Sequence, residues 1–113
     1  PEDFRRKIRK ALEIEGFRFF LMHSPCPTGW KTEPAETIEL VSLAVRSGIF
    51  PLYEVFNGVN YRINVEPDGT DPAEYFMKQR RFRGPEMNIE GVKSFVEDRM
   101  ERLRRLESVS EFD

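Results

Sequence analysis

The only cysteine and the only tryptophan of the chain lie close together in the segment Ser24–Trp30, which reads Ser-Pro-Cys-Pro-Thr-Gly-Trp. Prolines on both sides of Cys26 fix their own φ angles and disfavour helical backbone in the residues before them. Gly29 permits a turn that a side chain would resist. The segment follows an apolar run, Phe17–Met22, so we expect a thiol on a stiff loop at a strand end, where α/β folds place ligands and cofactors.

The chemistry open to this thiol is limited by its being alone. Zinc and iron–sulfur sites need about four ligands, so a functional Cys26 requires co-ligands from outside this chain. The alternative is a small buried apolar side chain, the common state of an unpaired cysteine. A catalytic thiol would need a basic partner, and His23 is more simply a histidine at the strand end, because Cys–His pairs usually come from distant parts of a sequence.

Other candidate residues carry weaker signals. Trp30 is most simply an anchor that pins the loop. The basic run 80–83, which includes Phe82, could contact nucleic acid, but we expect it to meet a helix C-terminus or an acidic partner surface instead. No pair of glutamates stands isolated in an apolar setting, and the chain contains no GxGxxG, P-loop or HExxH motif.

Composition narrows the class of protein. The chain has 113 residues, 39% of them apolar and 34% charged, with a net charge of −2, so we expect a single segment, 1–113, that does not bind nucleic acid. One cysteine excludes an internal disulfide and fits a reducing, cytoplasmic setting. The sequence shows no apolar run of membrane-spanning length and no signal peptide, so no membrane association is predicted.

Hydrophobic periodicity and turn signals predict the elements that would position the loop. The predicted order is a helix over 4–15 capped by Asp3, a buried strand over 17–23, the Cys26 loop, a helix from about Pro34 to Gly48, a hairpin over 51–65 turning at Asn57-Gly58, a helix over 72–80, a helix over 89–107 capped by Asn88, and a disordered tail over 108–113. Mixed helix and strand around one core predict an α/β class.

Three helices and the hairpin supply the predicted core. In the first helix the inward face is Phe4, Ile8, Ala11 and Leu12. The second helix has an inner stripe of Ile38, Val41, Ala44 and Val45, widened by Leu40 and Leu43. Tyr53, Val55, Tyr61, Ile63 and Val65 form a period-two face of the hairpin. Tyr75 and Phe76 point inward from the short helix, and the last helix contributes Ile89, Val92, Val96, Met100, Leu103 and Leu106.

The order of these motifs resembles the C-terminal third of the thiamine-diphosphate-binding β subunit of 2-oxoacid:ferredoxin oxidoreductases, of the pyruvate and branched-chain types. In that family a helix ending in glycine precedes a strand, then Cys-Pro-Thr-Gly-Trp, then a helix ending near Pro-Leu-Tyr-Glu. The counterparts here are Ile8–Gly16, Phe17–His23, Cys26–Trp30 and Ile38–Glu54. A Glu-Tyr-x-x-x-Gln-x-Arg-Phe pattern corresponds to Glu74, Tyr75, Gln79, Arg81 and Phe82, so the resemblance covers about residues 4–107.

The resemblance implies a role for Cys26 that spacing alone does not. It implies that Cys26 is the fourth cysteine ligand of a [4Fe–4S] cluster whose other ligands lie N-terminal to this segment. We expect the neighbouring Thr28 and Gly29 amides to donate to cluster sulfurs. It also implies the helix–strand–helix–hairpin–helix portion of a thiamine-diphosphate-binding fold. The complete enzyme would convert pyruvate or a related 2-oxoacid and coenzyme A to acyl-CoA, with electrons passing to ferredoxin.

This chain departs from the family pattern in ways that limit it. The Gly-Asp-Gly…Asn segment that holds Mg²⁺ and diphosphate is absent, and so are the three other cysteines. We therefore expect a β-subunit fragment or a split-gene product that binds neither thiamine diphosphate nor Mg²⁺ alone and has no catalytic residue. Its partners would be the remainder of the β subunit and the other oxidoreductase subunits. The alternative is a non-catalytic domain that packs against partner subunits, with Cys26 inert.

Overall fold

The computed structural model describes residues 1–84 and 87–112. The α-helices are α1 (Glu2–Leu12), α2 (Pro27–Trp30), α3 (Thr37–Arg46), α4 (Pro72–Met77) and α5 (Ile89–Ser108), and the strands are β1 (Leu52–Phe56) and β2 (Asn60–Val65). Short 3₁₀ turns occupy Pro34–Glu36 and Arg80–Phe82. Mixed helix and strand agree with the predicted α/β class at this level of detail.

The hairpin forms where the sequence predicts it. β1 and β2 pair antiparallel, with Tyr53 opposite Ile63 and Val55 opposite Tyr61. Both residues of the Asn57-Gly58 turn have positive φ, 54° and 75°, the conformation that a tight hairpin turn with the right-handed strand twist requires. Tyr53 and Val55 share a face with their partners as predicted, and the two tyrosine rings stack with centroids 6.3 Å apart.

The C-terminal end of α5 and the residues that follow it cover the free edge of β2. The Ile63 N–H donates to Glu107 Oε1 at 2.8 Å, and the Tyr61 N–H donates to Ser110 Oγ at 2.7 Å. Phe112 meets the Phe56 ring edge to face, with centroids 5.8 Å apart. Ser110, Glu111 and Phe112 of the predicted disordered tail thus contact the hairpin, whereas Asp113 lies outside the described residues.

The main core lies between α3 and α4. Leu40, Leu43, Ala44 and Tyr75 are buried together, with Trp30, Ile49, Phe50 and Phe76 packed around them. The predicted inner stripe of α3 is wrong in part, because Ile38 is 80% exposed whereas Leu40 and Leu43 are fully covered. Two neighbouring apolar stripes run along α3, and packing against Tyr75 of α4 selects the one that is buried.

The junction after α3 packs against α5. Gly48 ends the helix as predicted, with φ at +80°. A Cβ at Gly48 would lie 3.0 Å from Val96 Cγ1 and 3.4 Å from Met100 Cγ, so both the left-handed backbone and the close approach of α5 require glycine. The Arg99 guanidinium donates to the Gly48 carbonyl oxygen at 2.6 Å and also to that of Ile49.

The last two helices begin where the sequence predicts. The Asp71 carboxylate accepts the Ala73 N–H at 2.9 Å at the start of α4, and the Asn88 side chain accepts the Gly91 N–H at 2.9 Å at the start of α5. Val96, Met100 and Leu103 are the buried residues of α5, as expected from their spacing. In the described part of the chain no helix has both the length and the apolarity needed to cross a membrane.

The N-terminal helix differs from its prediction. It ends at Leu12 rather than at residue 15, and Asp3 forms no N-cap. The Asp3 carboxylate instead pairs with Arg6 at 2.7 Å and Lys7 at 2.8 Å, one turn further on. No residue of α1 is buried; of its predicted inward face, Ile8 and Ala11 are half-buried whereas Phe4 and Leu12 are exposed. The ion pair of Lys10 with Glu54, at 2.9 Å, attaches α1 to the hairpin.

The predicted buried strand over 17–23 is wrong for the chain by itself. These residues form neither helix nor strand, and residues 17–22 are all exposed. A strand needs neighbours for its backbone N–H and C=O groups. Here β1 and β2 pair with each other, the Glu107 and Ser110 side chains occupy the β2 edge, and no main-chain hydrogen bond joins the segment to either strand.

Candidate functional site around Cys26

Cys26 is the N-cap residue of α2, a single turn over Pro27–Trp30. Its backbone is extended (φ −118°, ψ 101°), and proline takes the first helical position, where a missing N–H costs no hydrogen bond. The Gly29 N–H donates to Cys26 Sγ at 3.4 Å. The thiol is exposed, so the buried alternative does not describe Cys26 in this chain.

The turn is closed by backbone hydrogen bonds on both sides. The Trp30 N–H donates to the Cys26 carbonyl oxygen at 2.8 Å, and the Thr32 N–H donates to that of Pro27 at 3.0 Å. Lys31 ends the turn in the left-handed region at φ 55°. A Cβ on Gly29 would lie 3.3 Å from Sγ, so glycine keeps that side of the thiol open.

The basic run 80–83 holds the C-terminal end of this turn. Arg80 donates to the Lys31 carbonyl oxygen from its backbone N–H at 3.3 Å and from Nε at 3.0 Å. A cation at a helix C-terminus also complements the partial negative charge there. The expectation that this run meets a helix C-terminus is therefore confirmed for Arg80.

An aromatic cluster, defined here as His23, Trp30, Phe50 and Tyr75, lies behind the Cys26 loop. The His23 ring stacks on Phe50 with centroids 4.9 Å apart and lies 5.4 Å from Trp30. Its Nε2 is 3.3 Å from the Tyr75 hydroxyl. Because Trp30 and Phe50 also pack on the buried residues of α3 and α4, the cluster ties the loop to the core, and Trp30 is the anchor that the sequence predicts.

Arg81 and Gln79 brace the cluster from the side of the second 3₁₀ turn. The Arg81 guanidinium lies over the Trp30 ring at 4.2 Å, and its Nε donates to Gln79 Oε1 at 2.9 Å. Gln79 is fully buried, and its Nε2 donates to the Tyr75 carbonyl oxygen at 3.0 Å. A buried amide with both ends satisfied fixes its neighbours, so Gln79 orients Arg81 and Arg81 holds Trp30.

Burial and charge perturb the two titratable members of the cluster. Burial lowers the pKa of His23, and the nearby Arg81 charge lowers it further. Burial raises the pKa of Tyr75, partly opposed by hydrogen bonding and by the Arg81 charge. With its Nε2 at the Tyr75 hydroxyl, His23 acts as a packed aromatic residue of the loop support rather than as a base for Cys26, so a Cys–His pair receives no support.

The donor set around Cys26 suits one ligand of a shared centre. Among the described residues no group of three or more His, Cys, Asp or Glu side chains converges closely enough to hold a metal ion. One exposed thiol with an amide N–H directed at its sulfur fits a single thiolate position of an iron–sulfur cluster, since such sulfurs accept hydrogen bonds. Thr28, the other predicted contact, is exposed beside Gly29.

Several residues that support the loop have no supporting role predicted from the sequence. Gln79 stands out there only as a member of the Glu74–Phe82 pattern, Arg81 only in that pattern and in the basic run 80–83, and Phe50 does not stand out at all. The available signal was the presence of that whole pattern in the sequence. The sequence could not reveal that this pattern contacts Trp30, because Arg81 and Trp30 lie about fifty positions apart.

Several proteins of known name are similar in sequence to this chain. No family model matches the chain. It is 44% identical over 91% of its length to pyruvate synthase subunit PorB of Methanocaldococcus jannaschii. It is 42% identical over 96% of its length to ketoisovalerate oxidoreductase subunit VorB of Pyrococcus abyssi, and 38% identical over 97% to the PorB subunit of Thermotoga maritima.

The chain spans about a third of the length of these relatives, 35% of the first and 36% of the other two. The identity extends over nearly the whole chain, so it takes in the Cys26 loop and the elements that support it. The chain is therefore a homologue of the PorB and VorB subunits, and its resemblance to a 2-oxoacid:ferredoxin oxidoreductase β subunit is confirmed.

Proposed function

We propose that this chain is the C-terminal segment of the β subunit of a 2-oxoacid:ferredoxin oxidoreductase, an enzyme that converts pyruvate or a related 2-oxoacid and coenzyme A to acyl-CoA and CO₂ and passes the electrons to ferredoxin. The names of its relatives support this assignment, since they are subunits of pyruvate synthase and ketoisovalerate oxidoreductase. The chain contributes to the reaction as part of the assembled complex and has no catalysis of its own.

Within that complex, Cys26 supplies one thiolate ligand to a [4Fe–4S] cluster. The observation that carries this proposal is the exposed Sγ at the start of a one-turn helix that is fixed by backbone hydrogen bonds and by the aromatic cluster. A ligand held in place before binding loses little conformational freedom when the metal centre forms. The remaining ligands come from residues outside this chain, which accounts for a thiol presented outward.

The backbone beside Cys26 tunes the centre. The Gly29 N–H already points at Sγ, and the neighbouring Thr28 amide completes the pair of donors. Hydrogen bonds to cluster sulfurs and the polarity around them shift the reduction potential. When bound, the cluster supplies one-electron transfer. This chain would hold it through one ligand, the Cys26 thiolate, at a fixed position.

The other cofactors and partners belong to the rest of the enzyme. Thiamine diphosphate and Mg²⁺ bind the portion of the β subunit that carries a diphosphate site, and this chain completes that thiamine-diphosphate-binding fold from its C-terminal side. Its direct partners are the remainder of the β subunit and the other oxidoreductase subunits. We place the complex in the cytoplasm, where thiols stay reduced.

The test is a Cys26→Ser substitution in the assembled enzyme. A hydroxyl is a poorer ligand for iron than a thiolate, so we expect iron and acid-labile sulfide per subunit to fall and the reduced-cluster EPR signal to weaken or change. Ferredoxin reduction should fall with them.

The matched control is Ser24→Ala, an exposed residue of the same loop that offers no ligand, and it should keep full iron content. Wild-type iron and an unchanged EPR signal in Cys26→Ser would overturn the ligand role. That result would favour the alternative of a non-catalytic packing domain with an inert thiol.

A further inference from the structure

Arg81 carries a positive charge that the fold fixes beside the Cys26 loop. Its guanidinium lies 4.2 Å from the centroid of the Trp30 ring and 4.5 Å from that of Phe82, and its Nε donates to Gln79 Oε1 at 2.9 Å. A planar guanidinium stacks on aromatic faces and donates hydrogen bonds in a fixed fork. Two rings and one buried amide therefore hold this charge in one place.

The charge of Arg81 is not neutralised by a carboxylate in the described part of the chain. The neighbouring Arg80 pairs with Glu33 at 3.7 Å, whereas the ion pairs of the described residues include none with Arg81. The charge therefore acts on the groups around it, and it touches the turn that begins at Cys26 through the Trp30 ring.

This turn, Pro27–Trp30, brings the charge close to the proposed ligand. The Trp30 N–H donates to the Cys26 carbonyl oxygen at 2.8 Å, so the two residues are one helical turn apart, about 5–6 Å along the axis. After burial, the Arg81 charge is the second cause that lowers the pKa of His23, which precedes Cys26 in the same loop. The field of Arg81 thus reaches residues on both sides of the thiol.

We propose that Arg81 raises the reduction potential of the centre that Cys26 would hold, an inference that rests on the proposed function. One-electron reduction adds one negative charge to an iron–sulfur centre, and a nearby cation stabilises the reduced form more than the oxidised form. The potential of such centres follows their net charge, hydrogen bonds and solvent exposure. The electron comes from oxidation of the 2-oxoacid and leaves to ferredoxin, so Arg81 adjusts the energy of the step between them.

Assembly strengthens the effect of this charge. Arg81 is exposed in this chain, where water and dissolved ions screen it. The other ligands of the centre come from outside the chain, so the rest of the subunit covers the Cys26 loop when the centre forms. Excluding water lowers the local dielectric constant and strengthens the interaction between the guanidinium and the centre.

Redox potentiometry followed by EPR on the assembled enzyme tests the inference. Arg81→Gln removes the charge, and Arg81→Met removes it while keeping apolar contact with the Trp30 ring. In both variants we expect the ratio of reduced to oxidised centre at a fixed potential to fall about threefold, a shift of roughly 30 mV to more negative potential for a one-electron couple. Arg81→Lys keeps the charge but not the planar fork, and it should shift the potential less than half as far.

Arg102→Gln is the matched control, because it removes the same charge from an exposed arginine of α5 and should leave the potential unchanged. A wild-type potential in either neutral Arg81 variant with full iron content would overturn the inference. An equal shift in Arg81→Lys and Arg81→Gln would overturn it as well, since stacking rather than charge would then matter. Loss of iron from both neutral variants would assign Arg81 to holding the loop and would likewise contradict a role in the potential.

Iron content separates this inference from the proposed function. Wild-type iron in Cys26→Ser refutes the ligand role, whatever the Arg81 variants show. Iron lost from Cys26→Ser, together with full iron and wild-type potentials in the Arg81 variants, refutes the role of Arg81 alone.

Discussion

At the scale of single residues, the candidate site depends on how the backbone of Gly29 lies beside the Cys26 sulfur. Cys26 Sγ receives the Gly29 N–H at 3.4 Å, and a side chain on Gly29 would crowd it. The thiol is exposed, yet its backbone is fixed on both sides by the hydrogen bonds of the turn. Geometry of this kind presents a ligand outward at little entropic cost, which is what a centre shared between two parts of a subunit requires.

The stability of the folded chain should depend on pH through His23. Burial and the Arg81 charge lower its folded pKa below the unfolded value of about 6.5. The unfolded state therefore binds more protons, so the stabilisation is complete above about pH 6.5 and is lost as the pH falls through that value towards the folded pKa. Urea unfolding should show a lower midpoint at about pH 5.5 than at about pH 7.5.

His23 is the only histidine of the chain, so the control is direct. His23→Phe retains an aromatic ring against Phe50 and Trp30 but removes the titration. Its unfolding midpoint should change less between these two pH values. Carboxylates of lowered pKa, such as that of Glu54, titrate below this pH range and so do not account for the difference. An equal change of the unfolding midpoint with pH in both proteins would contradict this assignment.

At the scale of secondary-structure elements, the junction of α3 with α5 is closely packed. Gly48 combines a left-handed backbone with a position at which a Cβ would lie 3.0 Å from Val96 Cγ1 and 3.3 Å from Pro67 Cγ. Arg99 then crosses from α5 to the carbonyl groups at the end of α3. One glycine therefore permits both the end of a helix and the approach of its neighbour.

Gly48→Ala should destabilise the chain by more than backbone strain alone. Gly69 also has a positive φ, 86°, but a Cβ there would meet nothing within 4 Å. Gly69→Ala should lower the free energy of unfolding by about 1 kcal/mol for the left-handed backbone. Gly48→Ala should lower it by at least about 1 kcal/mol more, because it also overpacks a closed interface. Equal losses in the two variants, measured by urea unfolding, would show that the α3–α5 contact tolerates a methyl group.

At the scale of the whole molecule, the chain exposes apolar area on several sides. Leu40 and Leu43, which widen the apolar stripe of α3, are fully buried. The exposed apolar residues include Phe17, Phe19, Phe20, Leu21, Met22, Ile38, Met77 and Phe95. Much of the exposed apolar area therefore lies in the segment 17–22.

We expect this chain, purified alone, to self-associate or to unfold over a broad temperature range. Covering one such side chain contributes roughly 1.5–3 kcal/mol, whereas small domains are stable by only about 5–15 kcal/mol. Leaving several of them in water removes a large share of the available stability and invites association. Sedimentation and thermal melting at several concentrations measure this. A sharp, concentration-independent transition of a clean monomer would instead favour a free-standing domain.

The chain alone should bind neither thiamine diphosphate nor Mg²⁺ at micromolar concentrations. Its sequence lacks the Gly-Asp-Gly segment that holds the diphosphate in the proposed enzyme, and an octahedral Mg²⁺ site needs carboxylates placed beside substrate phosphates. Isothermal titration with both ligands present should give no saturable heat. The assembled subunit is the positive control. A clear binding curve with this chain alone would contradict the proposal that thiamine diphosphate and Mg²⁺ bind the rest of the β subunit.

The sequence alone determined the features that depend on neighbours along the chain. Asn57-Gly58 specifies the hairpin, Asp71 and Asn88 cap their helices, Gly48 ends α3, and the Cys26 loop carries the resemblance, because each is a local property of a few residues. Tertiary structure decided which stripe of α3 is buried, where Arg81 and Gln79 lie, and whether residues 17–22 find partners. Those outcomes depend on contacts between residues far apart in sequence, which no local pattern specifies.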